Sequence, residues 1–274
     1  MVDEDIGIAG AAARQVRDLP VRLDGAVQVG PYSCARQGLL LRVVPGIGRF
    51  LAREGKALDY CVEDGADPAA VEALLKGGVL GALIHQRGEL PLHATTLVAP
   101  DGSGALALAG HSGAGKSTTA YELVRRGWTL LSDDLTRVTV ENGTALAWPG
   151  RTRLRLLRDA CERFDIDCAS LEPAPNWPDK YLLGLPGWDR PVPLAALVAL
   201  DRSEGALQVR ALSGALAARV LIEHTYRRHY VAALGRAQRH LELVATVAAG
   251  AKIFTTRGAA SVEQVASSIA ASVT

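Results

Sequence analysis

The sequence predicts an α/β fold built around a phosphate-binding loop, with a strand-rich lobe ahead of it. Three observations lead there. Within "ALAGHSGAGKSTTAYELV" (107–124), Gly110, Gly115, Lys116 and Ser117 fall on the spacing G-x-x-x-x-G-K-[ST]. An apolar strand precedes that loop and an amphipathic helix follows it. Residues 20–66 carry alternating and apolar runs of strand type. The expected division is a lobe over residues 1–80, strands plus a connecting helix, and a phosphate-loop domain over 81–274.

The elements follow in order. "VRLDGAVQVG" (21–30) alternates, "GLLLRVV" (38–44) reads as a buried strand, and "RFLAREGKALDYCVE" (49–63) reads as a hairpin turning at Glu54-Gly55. In "DPAAVEALLKGGVLGALIHQR" (67–87), Asp67 is placed to cap a helix and Pro68 stands at its first position. The apolar spacing at Val71, Leu74, Leu75, Val79 and Ile84 is helical. Next come a strand over 91–98, a "PDGSG" turn, a strand over 105–109, the loop, a helix over 116–126 and a strand over 128–132. The last zone holds strands near 194–200 and 206–212, helices within 213–249, a strand over 251–256 and a closing helix. That helix opens at Ser261 with Gln264 three residues on, the spacing of a capping box.

Composition sets the surroundings. Of 274 residues 49% are apolar and the formal net charge is +1, which excludes disorder and gives no global basic field for nucleic acid. Cys34, Cys61, Cys161 and Cys168 are scattered without a C-x-x-C pair and read as reduced thiols. The acidic start "MVDEDIGIAGAAARQ" does not read as a secretory leader, and no unbroken apolar run reaches membrane-span length. A cytoplasmic protein that binds neither nucleic acid nor membrane is expected; self-association is left open.

The loop has a chemistry of its own. Glycines at 110, 113 and 115 let the chain curl so that successive N–H groups of Gly110, His111, Ser112, Gly113, Ala114, Gly115, Lys116, Ser117 and Thr118 cradle a nucleoside triphosphate. The positive end of the following helix adds to the same site. Lys116 is expected on the β- and γ-phosphates and the Ser117 hydroxyl on Mg²⁺. Seventeen residues after Lys116, "WTLLSDDLTRV" ends an apolar strand in Asp133-Asp134. Helix, turn and strand fit that interval, so this strand is expected directly beside the loop strand, with both carboxylates at its edge. Adjacent side chains on a strand face opposite ways, so the two aspartates are expected to do different jobs. His93 interrupts an apolar strand, where a satisfied core histidine is the common outcome. His85, His224, His229 and His240 lie on predicted helices without metal-ligand spacing and read as structural.

"LPLHATTLV" followed by "LALAGHSGAGKSTTAYELVRRGWTLLSDDLTRV" resembles the catalytic domain of HPr kinase/phosphorylase, a bacterial protein-serine kinase related to phosphoenolpyruvate carboxykinases. The shared features are a histidine on the strand before the loop, G-x-S-G-x-G-K-[ST], a short helix to "RRG" and a strand ending in Asp-Asp, all within about residues 88–138. The resemblance implies a kinase core of that type using ATP and Mg²⁺. It implies Asp134 as the base that takes the acceptor proton, His93 as its assistant and Asp133 nearer the magnesium. More distantly, "VPGIGRFLAREG" (44–55), "GALIHQRGELPLHATTL" (81–97) and "WPGRTRLRL" (148–156) look like the stand-alone kinases of this family found with lasso-peptide maturation enzymes. Those kinases phosphorylate a precursor peptide on a serine hydroxyl, so a peptide or small-protein partner is implied.

There are departures. The glycine-rich, acidic signature that serves the reverse reaction in that family is absent between residues 139 and 190, which implies forward transfer without efficient return to inorganic phosphate. In its place Arg151, Arg153 and Arg155 alternate. If extended they share a face, and two readings stand: a grip on nucleotide phosphate or an acidic peptide, or a solvated basic strand. Lys180 is a further candidate for that anionic site. A transport ATPase is the rival class, since "LSGAL" (212–216) mimics its signature loop. That class needs an apolar strand ending in Asp-Glu soon afterwards, and the chain has Glu223-His224 instead. A module that binds nucleotide without chemistry is the third reading.

Overall fold

The computed structural model describes residues 11–175, 177–258 and 260–273. The reading of the first ten residues as no leader lies outside them. In chain order the first elements are β1 (Ala12–Gln15), β2 (Val27–Gln28), β3 (Ser33–Arg36), β4 (Leu39–Val44), β5 (Gly48–Arg53), β6 (Ala57–Val62), α1 (Pro68–Leu74) and α2 (Leu80–Gln86). There follow β7 (Leu90–Leu92), β8 (Ala94–Val98), β9 (Ala105–Gly110), α3 (Lys116–Arg125), β10 (Thr129–Ser132), β11 (Thr136–Glu141) and β12 (Thr144–Ala147). Then come β13 (Arg153–Leu157), α4 (Arg158–Arg163), β14 (Glu172–Ala174), β15 (Trp177–Gly184), β16 (Val192–Leu200) and β17 (Gln208–Leu212). The chain closes with α5 (Gly214–Glu223), α6 (Tyr230–Ala233), α7 (Ala237–Gly250), β18 (Lys252–Arg257) and α8 (Val262–Val273).

The chain divides into two compact units, Met1–Pro91 with Tyr226–Glu242 and Leu92–Thr225 with Leu243–Thr274. The first therefore runs past residue 80 and takes in a later segment, a return that nothing in the local sequence pattern announces.

In the first unit a sheet of order β1-β6-β5-β4-β3-β2 is antiparallel except at the β1–β6 edge. The alternation of "VRLDGAVQVG" yields only the two-residue β2. The β5–β6 turn falls at Glu54 (φ 50°) and Gly55 (φ 72°). A side chain at Gly55 would begin 3.1 Å from the Leu83 carbonyl oxygen, so the turn also needs glycine for close approach. Leu40, Phe50, Ala52 and Leu58 line the buried face against Val71, Leu75, Val79 and Leu83. Asp67 caps α1 by accepting from the Ala69 N–H at 3.0 Å. Between α1 and α2 the helix widens to a π-helical turn, Leu75–Val79, which contains Gly77 and Gly78. The continuous helix Pro68–Gln86, 19 residues with a mean hydropathy of 1.2 over its most apolar 18, is long and apolar enough to span a membrane, and 56% of that window is buried. Charges at Glu72 and Lys76 interrupt its apolar run.

In the second unit the phosphate-loop strand β9 runs parallel to β16 on one side and antiparallel to β8 on the other. β16 is followed outward by the parallel β18, and β10 pairs antiparallel with β8. The aspartate strand β10 is thus not beside β9, as expected; β8 stands between them. The cause is the tight β8–β9 hairpin, which fills one slot next to β9, while β16 fills the other. A β11–β12 hairpin and a small sheet of order β13-β15-β14 occupy residues for which no strands were expected. α3 and α8 cover one face, where Leu106, Leu108, Ala120, Leu123, Ala266 and Ile269 are buried. The capping box at the start of α8 forms, with the Ser261 N–H donating to Gln264 Oε1 at 3.0 Å and the Gln264 N–H to Ser261 Oγ at 3.3 Å.

Candidate active site

The site lies at one edge of the second unit's sheet, where β9 and β10 end and β8 begins. Register fixes this meeting: Ala94 pairs with Ala109, and Ser132 with Thr96. β9 ends at Gly110 (φ 147°), and the loop turns through Gly113 (φ 84°) and Gly115 (φ 89°), both left-handed, before α3 starts at Lys116. A Cβ at Gly110 would sit 2.8 Å from the Leu200 carbonyl oxygen. The Lys116 ammonium folds back to donate to the carbonyls of Gly110 (2.6 Å) and His111 (3.3 Å). Burial pulls its pKa down, while the charges of Asp134 and Asp133 push it back up and that of Lys180 pulls it further down.

The two aspartates occupy different surroundings. Asp133 is buried and accepts a 2.7 Å hydrogen bond from Thr95 Oγ1. Burial pushes its carboxyl up to about 6, against the pull of the Thr95 hydroxyl; Asp134 adds to the rise, while Arg155 and Lys116 oppose it. With its carboxyl at about 6, Asp133 is mostly ionised at neutral pH, and its oxygen is a donor type that suits Mg²⁺. Asp134 lies past the end of β10 with φ 70°, a left-handed conformation that Asp tolerates better than most residues. Its Oδ1 is 3.4 Å from His93 Nδ1 and its Oδ2 3.3 Å from Arg155 Nη1. His93 Nδ1 also lies 3.0 Å from the Asp134 carbonyl oxygen, to which a protonated Nδ1 donates. Burial lowers the His93 pKa, with Asp134 raising it and Lys116 lowering it.

A buried hydroxyl chain holds this edge together. Thr96 Oγ1 and Ser132 Oγ each lie 2.7 Å from Thr136 Oγ1. Behind it the Asp133 N–H donates to the Arg151 carbonyl at 2.7 Å. Gly150 permits that contact, because a Cβ there would be 2.8 Å from Ser132 Cβ.

Of the alternating arginines, Arg155 brings its guanidinium to Asp134. Arg153 is exposed and pairs with Glu172 at 3.0 Å, and Arg151 supplies its backbone carbonyl ahead of β13. Lys180 is near enough for its charge to act on Lys116, and its ammonium lies 4.3 Å from the centre of the Trp177 ring. His224, expected to be a structural helix histidine, caps the end of α5 beside the site. Its carbonyl accepts from the His93 N–H at 2.8 Å, and its ring lies 6.0 Å from that of His111. Burial drops its pKa to about 4, so it is neutral at physiological pH. His111 itself is 3.4 Å from Glu223. Arg202 was also missed: its Nη2 lies 2.7 Å from where a Cβ on Gly115 would stand. The signal was available, since "LVALDR" places four apolar residues and a charged pair at the end of a strand.

No family model matches the chain, and no curated protein matches it. Among solved structures it is similar to the Hpr(Ser) kinase/phosphatase from Coxiella burnetii, with 13% identity and a TM-score of 0.36 over 66% of this chain and 94% of that one.

Proposed function

We propose that the chain is an ATP-dependent kinase that transfers the γ-phosphate to a serine hydroxyl of a peptide or small protein. The observation that carries this reading is the carboxylate of Asp134, held between His93 and Arg155 a short way from the phosphate-loop lysine. A nucleotide-binding module needs no such group, and a kinase needs one to take the acceptor proton. In this reading the loop and Lys116 hold the triphosphate, and Ser117 and Asp133 hold Mg²⁺. When bound, that ion neutralises charge on the β- and γ-phosphates. Asp134 accepts the hydroxyl proton as the oxygen–phosphorus bond forms and the β–γ bridge breaks, leaving ADP. His93 fixes the orientation of Asp134, and Arg155 offers a guanidinium to the transferred group.

The transport-ATPase reading loses ground in the fold, because Glu223-His224 ends a helix rather than a strand beside β9. The finer reading, in which the acceptor is a lasso-peptide precursor, is supported by the sequence segments at 44–55, 81–97 and 148–156. The test is mass spectrometry of serine-containing peptides after incubation with Mg·ATP, where a gain of about 80 Da per transferred phosphoryl group is expected. Free ATP hydrolysis with no peptide modified would hand the assignment to an ATPase.

A further inference from the structure

The first unit contains a buried cation that its own hydroxyls do not neutralise. Arg42, on the helix-facing side of β4, is only 8% exposed. Its Nη1 donates to Ser33 Oγ and to Tyr230 OH, both at 3.1 Å, and its Nε is buried with no acceptor. No carboxylate among the described residues pairs with it. A guanidinium does not shed its proton in a protein, so the charge persists. Two neutral hydroxyls satisfy one of its nitrogens and leave the charge uncompensated, an expensive arrangement to bury.

The surroundings add positive charge. At Gly78 in the π-helical turn, the position of a Cβ would be 3.3 Å from Arg42 Nη1 and 3.1 Å from Arg227 Nε, so two guanidiniums converge on one bare patch of helix. His229 Nε2 lies 4.0 Å from the corresponding position at Gly30. After burial, the charges of Arg227, Arg42 and Arg228 are what lower the His229 pKa, which places all three close to it. Gly78 lets both guanidiniums close onto the helix, so charged donors suited to an oxyanion converge at one place.

We propose that this unit holds an oxyanion site centred on Arg42 that binds a phosphate or carboxylate group. Assigning that group to the acceptor peptide rests on the kinase reading; the site itself does not.

Inorganic phosphate is the probe, titrated against thermal unfolding of the full chain at constant ionic strength. The parent is Lys116→Ala, which removes the phosphate-loop lysine as a competing site. Phosphate at roughly ten times its Kd is expected to raise the parent's Tm by about 2–4 °C, and Arg42→Met is expected to abolish the rise. Without phosphate, Arg42→Met should be at least as stable as its parent, because an apolar chain replaces an uncompensated charge. An undiminished rise in Arg42→Met overturns the proposal. Should that variant not fold, Arg42→Lys replaces it, keeping the charge but not the fork, and an undiminished rise there overturns it equally. If phosphate has no effect on the parent, an acetylated serine peptide with a free C-terminal carboxylate is compared with its amide. Arg42-dependent binding of the acid alone assigns a carboxylate, and no binding of either probe overturns the site. An Arg42-dependent phosphate response stands even where no peptide is phosphorylated, so the two readings fail separately.

Discussion

Asp134→Asn is the perturbation that separates chemistry from nucleotide binding. The side chain is 27% exposed and lies 3.4 Å from His93 and 3.3 Å from Arg155, so an isosteric amide keeps the packing and removes the charge. Asn is also the right replacement for the backbone, since position 134 has φ 70° and Asn enters that region more readily than Ala. Losing a partly exposed ion pair costs about 1 kcal/mol or less of stability. In the proposed kinase reading Asp134 is the base, and losing a base costs about 10²–10⁴ in rate, or roughly 3–5 kcal/mol of barrier, so the kinetic effect outweighs the structural one. Nucleotide affinity should stay within a few-fold of wild type, because the residue removed is a carboxylate that repels phosphate rather than a donor that holds it. Single-turnover transfer to a serine peptide, read by mass spectrometry beside a nucleotide titration, measures both quantities. Transfer at the wild-type rate by Asp134→Asn would refute the base assignment.

Two further perturbations test the loop and the first unit. Gly115→Ala should lower stability by about 1–2 kcal/mol through its left-handed backbone, and adding Arg202→Ala should recover little of it. Full recovery in denaturant unfolding would shift the cause to the guanidinium contact. His85 is buried, with Nε2 2.8 Å from the Tyr226 carbonyl oxygen, and burial lowers its pKa from 6.5 to about 4. The unfolded chain therefore takes up this proton first. The contribution is complete above pH 6.5, drains as pH falls toward about 4 and is flat below, amounting to roughly 3 kcal/mol. His85→Gln, which keeps a donor for the carbonyl, should remove that part of the slope; an unchanged slope in unfolding measured from pH 7 to 4 would reject the assignment.

Local signals in the sequence were read well where the chain decides locally. The Asp67 cap, the turn at Glu54-Gly55, the glycines of the loop and the Ser261–Gln264 box are each determined by a few neighbouring residues. The β11–β12 hairpin, where no strands were expected, also carries a local signal. Asn142 (φ 50°) and Gly143 (φ 80°) form the paired left-handed turn that Asn-Gly favours, between segments that alternate. What the sequence did not carry was long-range placement. Arg151, Arg153 and Arg155 look equivalent by spacing, yet β13 begins at Arg153, so a carbonyl, a surface ion pair and a site guanidinium result. His224 reached the site only because β8 starts against the end of α5, a pairing across 131 residues that no local period encodes.

The strand order carries the main consequence. With β8 inserted between β9 and β10, His93, the residue just before β8, lies near both the lysine that follows β9 and Asp134, which follows β10. His93 accordingly feels both, its pKa raised by Asp134 and lowered by Lys116 on top of the lowering by burial. Had β10 lain directly beside β9, Asp133 and Asp134 would have met the loop without an intervening imidazole, and Lys116 could have closed onto a carboxylate. Instead the ammonium donates to the Gly110 and His111 carbonyls, and Asp134 turns to His93 and Arg155. The hairpin that displaced β10 thus sets His93 within reach of both the loop lysine and Asp134, which in the kinase reading proposed above leaves the lysine for the triphosphate and the carboxylate for the acceptor hydroxyl.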